Sequence, residues 1–307
     1  MKTTTYYTHQ ETISGFICPI CGYTECNDEF TCTDYFVSGE NFDIVSCSGC
    51  GLRVTRHRLS EDALGAYYQS ENYISHSNTR KGAINSIYHA ARRLMLKKKR
   101  NWVEKQTAAN DKKLLDVGCG TGYFAASMQK RGWNVVGVEK SDSDRKFAIE
   151  IKLEVVPSLK EIGGNNRFDT ITLWHVLEHL GDLNHAMQSF NRLLTPQGTL
   201  FIAVPNHTSA DAEKYGTHWA AYDVPRHLWH FAPTQMLQLA EKHGFRVAAT
   251  RPFHLDGFYI SILSEKYKGS SMYFIKGFFS GLNTWFSTLA NTEKSSSLLY
   301  VLKKMPE

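Results

Sequence analysis

The chain has 307 residues, and a prior of roughly 100–200 residues per domain predicts one full-sized domain with appendages. Apolar and charged fractions of 42% and 21% are those of an ordinary globular protein, and no apolar run approaches the roughly 18 residues of a membrane-spanning helix. The net charge of +5 is mild. Much of the excess sits in one block, Arg92, Arg93 and Lys97 to Arg100. It reads either as a solvated helix face or as a surface for a polyanion such as RNA, a nucleotide-linked substrate or anionic headgroups.

The opening residues, Met1 to Tyr7, lack the apolar stretch of a secretory signal, so the cytoplasm is the expected compartment. There, seven cysteines read as metal ligands, catalytic groups or core residues more readily than as disulfides. Cys18-Pro19-Ile20-Cys21-Gly22 and Cys47-Ser48-Gly49-Cys50-Gly51 repeat the pattern C-x-x-C-G. Two such turns offer four thiolates to one ion, the tight spacing wraps backbone amides around the sulfurs, and the glycine permits a left-handed turn. A closed, structural zinc site of Cys18, Cys21, Cys47 and Cys50 is therefore expected in a module over 1–60. The gap between the pairs exceeds the usual zinc spacing, so the segment between them extends as an insertion. A segment this small has little core, and zinc binding contributes on the order of 10–16 kcal/mol of folding free energy. Cys26 and Cys32 are read as non-ligands. The competing reading, a redox C-x-x-C, does not need two matched pairs, and neither pair opens a βαβ unit.

Residues 61–110 are polar and helix-compatible, with Tyr67, Tyr68, Tyr73 and Tyr88 spaced among charges. They predict one or two connecting helices, serving as a linker or as a lid over a site. Lys113–Val117 then reads as a buried strand, followed by Gly118-Cys119-Gly120-Thr121-Gly122 and an amphipathic run through Lys130. Strand, glycine loop and helix make a nucleotide site in an α/β sheet. A second strand, Asn134–Val138, ends at Glu139, about 20 residues after the loop, where a carboxylate accepts hydrogen bonds from ribose hydroxyls. A dinucleotide fingerprint would need a third glycine where Tyr123 stands, so the fit to NAD fails.

The pattern Asp116-x-Gly118-x-Gly120-x-Gly122 resembles motif I of the class I S-adenosylmethionine-dependent methyltransferases. The resemblance continues through Arg167 to His179 and through Leu193 to Asn206, and it covers about residues 112–250. It implies an α/β fold: a seven-stranded Rossmann-like sheet with its last strand antiparallel and helices on both faces. It further implies that Asp116, Gly118, Cys119, Gly120 and Gly122 wrap the methionine part of the cofactor and that Glu139 holds its ribose. Many members carry an Asp after the third strand that touches the adenine. Here Pro157-Ser158-Leu159 stands instead, leaving Ser158 or the backbone as the candidate. Trp174 and His175, at the carboxyl end of the fourth strand, line the crevice where ligands bind in open α/β sheets. His175 is expected near the sulfonium, and His179 is read as structural.

His175-Val176-Leu177-Glu178-His179 also spells H-x-x-E-H, a zinc protease pattern that needs a long helix presenting both histidines. Here it follows directly on an apolar strand, with methyltransferase context on both sides. Trp219 to Phe231 is dense in functional residue types, and a similar D-x-P-R-H stretch lies over the active site in a subset of small-molecule class I methyltransferases. Methyl transfer is a direct displacement at an activated sulfonium carbon. Alignment of the two partners therefore does most of the work, worth up to about 7–11 kcal/mol, and no metal is required. For a hydroxyl or acidic carbon acceptor a base is useful, and His227 or His175, with Asp223 as orienting partner, are the candidates.

Aromatic residues recur from Gly257 to Leu289, predicting a helical insertion over 257–291 that packs the core, walls a hydrophobic acceptor or meets a membrane surface. Ser296–Lys304 reads as the seventh, antiparallel strand, beside Phe245–Thr250. The methyltransferase domain is thus expected over 111–307. The favoured reading is an S-adenosylmethionine-dependent enzyme with a structural zinc ion, methylating O, C or N of a small molecule that is nucleotide- or lipid-linked or a natural-product precursor. Two alternatives stand beside it. One is an rRNA or tRNA methyltransferase gripping nucleic acid through the zinc module and basic block. The other is a non-catalytic zinc-ribbon interaction protein with a degenerate fold, against which the intact glycine loop and Glu139 argue.

Overall fold

The structure is a computed structural model describing residues 16–56, 59, 61–68, 83–107, 111–164 and 167–306, with backbone alone at 61, 62 and 83–91. The opening Met1 to Tyr7 segment and Tyr73 lie outside the described residues, and of Tyr88 only the backbone is described. Among the described residues no helix is long and apolar enough to cross a membrane.

The front end contributes β1 (Cys26–Thr33), β2 (Asn41–Cys47) and β3 (Arg53–Thr55), followed by helices α1 (Glu61–Ala66) and α2 (Ala83–Gln106). The body then alternates β4 (Lys113–Val117), α3 (Tyr123–Gln129), β5 (Asn134–Val138), α4 (Asp142–Glu150), β6 (Glu154–Val156), β7 (Phe168–Trp174), α5 (Leu183–Leu193) and β8 (Leu194–Pro205). Next come α6 (Ala210–Tyr215), the short β9 (Trp229–His230), α7 (Pro233–Lys242) and β10 (Phe245–Pro252). The chain closes with α8 (Asp256–Tyr267), α9 (Tyr273–Ala290) and β11 (Ser297–Lys304).

The main sheet has seven strands in the order β10-β11-β8-β7-β4-β5-β6. The run from β8 to β6 is parallel, and β11 is antiparallel to both β10 and β8. Fully covered parallel strands need apolar side chains on both faces, which is why Leu114, Leu115, Ile171, Leu173, Leu200 and Ile202 are all buried. Helix α5 shows the complementary logic. Asp182 caps it by accepting from His185 N–H at 2.9 Å, and Leu183, Ala186, Met187, Phe190 and Leu193 put one stripe into the core. Thr195–Gly198 lies inside β8. Phe168 pairs with Leu194 and Thr170 with Thr199, so the residues between them bulge out of the ladder.

The order of elements thus gives the seven-stranded sheet with an antiparallel penultimate edge that the motifs implied. The front end is joined to the body through a shared sheet and core. Its sheet runs β1-β2-β3-β9, with Arg53 opposite His230 and Val54 opposite Trp229. Cys18, Ile20, Val45, Cys47, Leu52 and Val54 pack in one apolar core with Leu228, Trp229, Phe231 and Met236 of the body.

Helices α8 and α9 form the helical insertion expected near the carboxyl end, with most of the large aromatics of α9 on its outer face. The two helices approach so closely that a Cβ on Gly277 would sit 2.4 Å from Ile262 Cα, and one on Gly281 2.6 Å from Phe258 Cα. Gly277, Ser280, Gly281, Thr284 and Thr288 therefore form the inner stripe, while Phe274, Phe278, Phe279 and Phe286 face outward. Aromatic density alone does not say which face of a helix is buried.

Candidate cofactor and acceptor site

The glycine loop lies at the carboxyl end of β4, where Gly118, Gly120 and Gly122 take φ values of 67°, 52° and 80°. Non-glycine residues rarely adopt this left-handed region. At Gly118 space is also lacking, since a Cβ there would lie 2.4 Å from Val176 Cγ2. The loop folds back on β5, with Gly118 and Cys119 N–H groups donating to Val138 O at 2.7 and 3.0 Å. Helix α3 then opens on Gly122 with no capping side chain. A helix start of this kind directs its first N–H groups toward a ligand.

Glu139 follows β5 and accepts from Gly120 N–H at 2.8 Å and Ser141 N–H at 2.9 Å. Each carboxylate oxygen offers more than one acceptor direction, so both keep capacity for hydroxyls. Asp116 is buried beneath the loop and accepts from Thr172 Oγ1 at 2.6 Å; burial pushes its carboxyl up to about 7. Cys119 packs against β5, where a Cβ on Gly137 would meet its Sγ at 2.6 Å, and burial raises its thiol. A thiol held protonated is a packing group rather than a nucleophile. Ser158 stands half-buried just past the end of β6, starting a 3₁₀ turn.

Trp174, at the end of β7, packs edge-on against Phe124 with centroids 5.1 Å apart, and Lys99 Nζ lies 4.5 Å from its ring centroid. Burial lowers that amine to about 8. Arg92 similarly stacks over Tyr123 at 4.1 Å, so two members of the basic block turn inward while Arg93, Lys97 and Lys98 face solvent.

His175 follows with φ 59°, and its side chain bridges two carboxylates, Nδ1 to Glu178 Oε1 at 3.4 Å and Nε2 to Asp256 Oδ2 at 3.2 Å. Burial alone would lower this imidazole, but the Asp256 and Glu178 partners carry it up to about 9. The folded value lies above the ordinary value of about 6.5, so the stability it contributes is complete below about pH 6.5 and is lost as pH rises through about 9. Melting temperatures should accordingly fall between about pH 7 and about 9.5, and His175→Gln should flatten that slope. An unchanged slope in the variant would remove His175 as its source.

The H-x-x-E-H stretch does not form the helix that a protease site requires; Leu177–His179 is a single 3₁₀ turn. That turn brings His179 against His227, with ring centroids 4.6 Å apart. His227 Nε2 lies 3.8 Å from Asp223 Oδ2, and Asp223 takes a left-handed φ of 39° while holding Arg226. Burial lowers His179 to about 4, which keeps it neutral. These groups line the polar end of a cavity of about 530 Å³, whose walls are Ala220, Ala221, Leu255, Tyr259, Ile260 and Leu263. His175, Asp223 and His227, the candidates for a base and its orienting partner, thus line one cavity, together with His179, which the sequence reads as structural. Glu178 and Asp256 escaped sequence reasoning. Glu178 was visible only as part of the protease pattern, and Asp256, in the first turn of α8, carries no local signal.

The four front-end thiols also converge. Sγ atoms of Cys18, Cys21, Cys47 and Cys50 lie within 4.8 Å of one another, with Cys18–Cys50 and Cys21–Cys47 each at 3.5 Å. A tetrahedral site with Zn–S near 2.3 Å has sulfurs roughly 3.8 Å apart, so the cluster fits zinc. Each knuckle closes through its glycine: Gly22 N–H donates to Cys18 O at 2.9 Å and Gly51 N–H to Cys47 O at 2.8 Å. Cys26 and Cys32 are outside the cluster, as expected.

A seven-stranded sheet of this order, with a glycine loop after its first strand and an acidic residue after its second, defines the class I S-adenosylmethionine-dependent methyltransferases. The methyltransferase-domain family profile matches residues 87–250, and the chain belongs to that family.

Among curated proteins, it is similar to the ubiquinone biosynthesis O-methyltransferase of Pseudomonas aeruginosa (strain UCBPP-PA14), 30% identical over 115 residues, covering 34% of this chain and 50% of the relative. The protein of the same name from Actinobacillus pleuropneumoniae serotype 7 (strain AP76) is 36% identical over 110 residues, covering 32% and 47%. That from Pelagibacter ubique (strain HTCC1062) is 26% identical over 174 residues, covering 51% and 68%. The chain thus spans about half the length of the first two relatives. A solved S-adenosylmethionine-dependent methyltransferase from Archaeoglobus fulgidus matches with a TM-score of 0.48 and 19% identity, over 69% of this chain and 94% of that one.

Proposed function

We propose that this chain binds S-adenosylmethionine between the Gly118–Gly122 loop and Glu139, and transfers its methyl group to an oxygen of a small, largely apolar acceptor. The observation that carries this reading is the Gly120–Glu139 hydrogen bond, which couples the loop to a carboxylate suited to the ribose, beside a cavity with one polar end. Asp116, Cys119 and Ser158 complete the cofactor cradle, with Trp174 and His175 on its acceptor side. The apolar walls suit a ring or alkyl body. The names of the O-methyltransferase relatives support oxygen as the accepting atom. The polar end, with His227 and Asp223, is where a hydroxyl would lose its proton. His175, carried up to about 9, is proton-loaded at neutral pH and supplies positive charge rather than a base. A zinc ion on Cys18, Cys21, Cys47 and Cys50 would close the two knuckles of the front end, whose strand β3 pairs with β9 beside the loop that carries His227.

Calorimetry should find one S-adenosylmethionine bound per chain. Glu139→Ala should weaken that binding about 10- to 100-fold, the equivalent of one or two hydrogen bonds to a charged acceptor. Absence of binding by the unaltered protein would overturn the reading.

A further inference from the structure

Glu178 is fully buried, yet neither carboxylate oxygen has a hydrogen bond; Oε1 forms an ion pair with His175 Nδ1 at 3.4 Å. One ion pair shared with Asp256 and no hydrogen bond leaves much of the cost of burying an ionised carboxylate, several kcal/mol, uncompensated. Facing it, His179 and His227 each offer a ring nitrogen, and one ligand atom from each of the three residues lies within 4.8 Å of the other two. The outer side of both rings is already fixed. His179 Nδ1 lies 3.0 Å from both Arg226 O and the Tyr68 hydroxyl, which can accept as well, and His227 Nδ1 lies 2.9 Å from Ala221 O. A backbone carbonyl can only accept, so each Nδ1 carries the hydrogen and each Nε2 presents a lone pair inward. Donation of the far N–H to a carbonyl is how metal-bound histidines are oriented.

We propose that Glu178, His179 and His227 hold a divalent cation at the polar end of the acceptor cavity, distinct from the cysteine cluster. Two imidazoles and one carboxylate suit borderline first-row ions such as Zn²⁺, Fe²⁺ or Mn²⁺, and three protein ligands leave positions open to the cavity. The role of the ion rests on the methyl-transfer reading above; its binding does not. An acceptor hydroxyl on an open position loses its proton to cavity water, because the cation stabilises the oxyanion. The oxygen lone pair then forms the C–O bond to the methyl carbon as the S–C bond breaks, its electron pair returning to sulfur. His227 acts in this scheme as a ligand, and the positive charge works on the acceptor while the sulfonium needs none.

The test uses the full, zinc-loaded chain titrated with Mn²⁺, whose free form gives a sharp six-line electron paramagnetic resonance signal. One equivalent should be taken up, since hard Mn²⁺ does not displace zinc from four thiolates. Electron spin echo modulation of the bound ion should carry the nitrogen coupling of directly bound imidazole. Glu178→Gln and His227→Asn should each weaken uptake at least tenfold, with S-adenosylmethionine affinity reporting that the fold survives. Lack of saturable uptake, lack of nitrogen coupling in the unaltered protein, or full uptake by both variants would each overturn the proposal. Mn²⁺ uptake without S-adenosylmethionine binding would keep the cation site and overturn only the methyl-transfer reading.

Discussion

Stripping the metal from the Cys18–Cys21–Cys47–Cys50 cluster, by chelator or by Cys47→Ser, is expected to abolish turnover as well as order in the front end. Structural zinc contributes on the order of 10–16 kcal/mol, as much as the whole stability of a typical domain of about 5–15 kcal/mol. Without it the two knuckles would lose the ion proposed to close them, and Leu52 and Val54 their place in the shared core. The damage then passes to the acceptor side. Thr55 Oγ1 donates to His227 O at 2.7 Å, and Arg53 Nη1 donates to Tyr222 OH at 3.2 Å, so the front end props the segment carrying His227. Cofactor affinity should suffer far less, because the glycine loop and Glu139 stand on β4 and β5. Turnover should fall at least a hundredfold, with loss of near-ultraviolet circular dichroism, and S-adenosylmethionine binding by calorimetry should change by less than about tenfold. Full turnover by the metal-stripped protein would sink the structural role of the cluster.

Arg226→Met should cost about 3–5 kcal/mol of stability, the usual penalty for removing one partner of a buried ion pair. The guanidinium is almost completely buried. It donates to Asp34 Oδ1 at 2.9 Å, to Asp223 Oδ1 at 2.6 Å and to Tyr67 O at 3.1 Å, joining the front end, the segment after it and the acceptor loop. Its loss strands the Asp34 carboxylate, which is fully buried and organises its own turn by accepting from the N–H groups of Phe36, Val37 and Ser38. A denaturation midpoint lowered by this amount, and partly recovered in the Asp34→Asn/Arg226→Met double variant, is the expected outcome. Independent, additive losses would show that the pair is not the coupling element.

The parts of this architecture that sequence made legible are those whose cause is local. The Gly118–Gly122 spacing is set by the backbone conformation it must adopt, the β-strands by runs of apolar residues covered on both faces, and the cysteine knuckles by C-x-x-C-G. The parts that stayed hidden depend on residues far apart in the chain. Nothing near Asp34 announces Arg226, and nothing near His175 announces Asp256. The outward aromatics of α9 were hidden for another reason: Gly277 and Gly281, which fix the buried side, look like interruptions until the close approach to α8 is seen. Glu178 was read within a pattern whose usual geometry, a helix, does not occur here.

The pairing of β3 with β9 also orders events during synthesis. Thr55 and the His227 carbonyl it binds are 172 residues apart, so on a ribosome the front end emerges with one edge of its sheet and part of its apolar core uncovered while most of the body is still unmade. An uncovered strand edge invites pairing with other chains. Early capture of zinc would hold that unfinished sheet in register until Trp229 and His230 arrive, so the ion would guard the nascent chain as well as brace the finished protein.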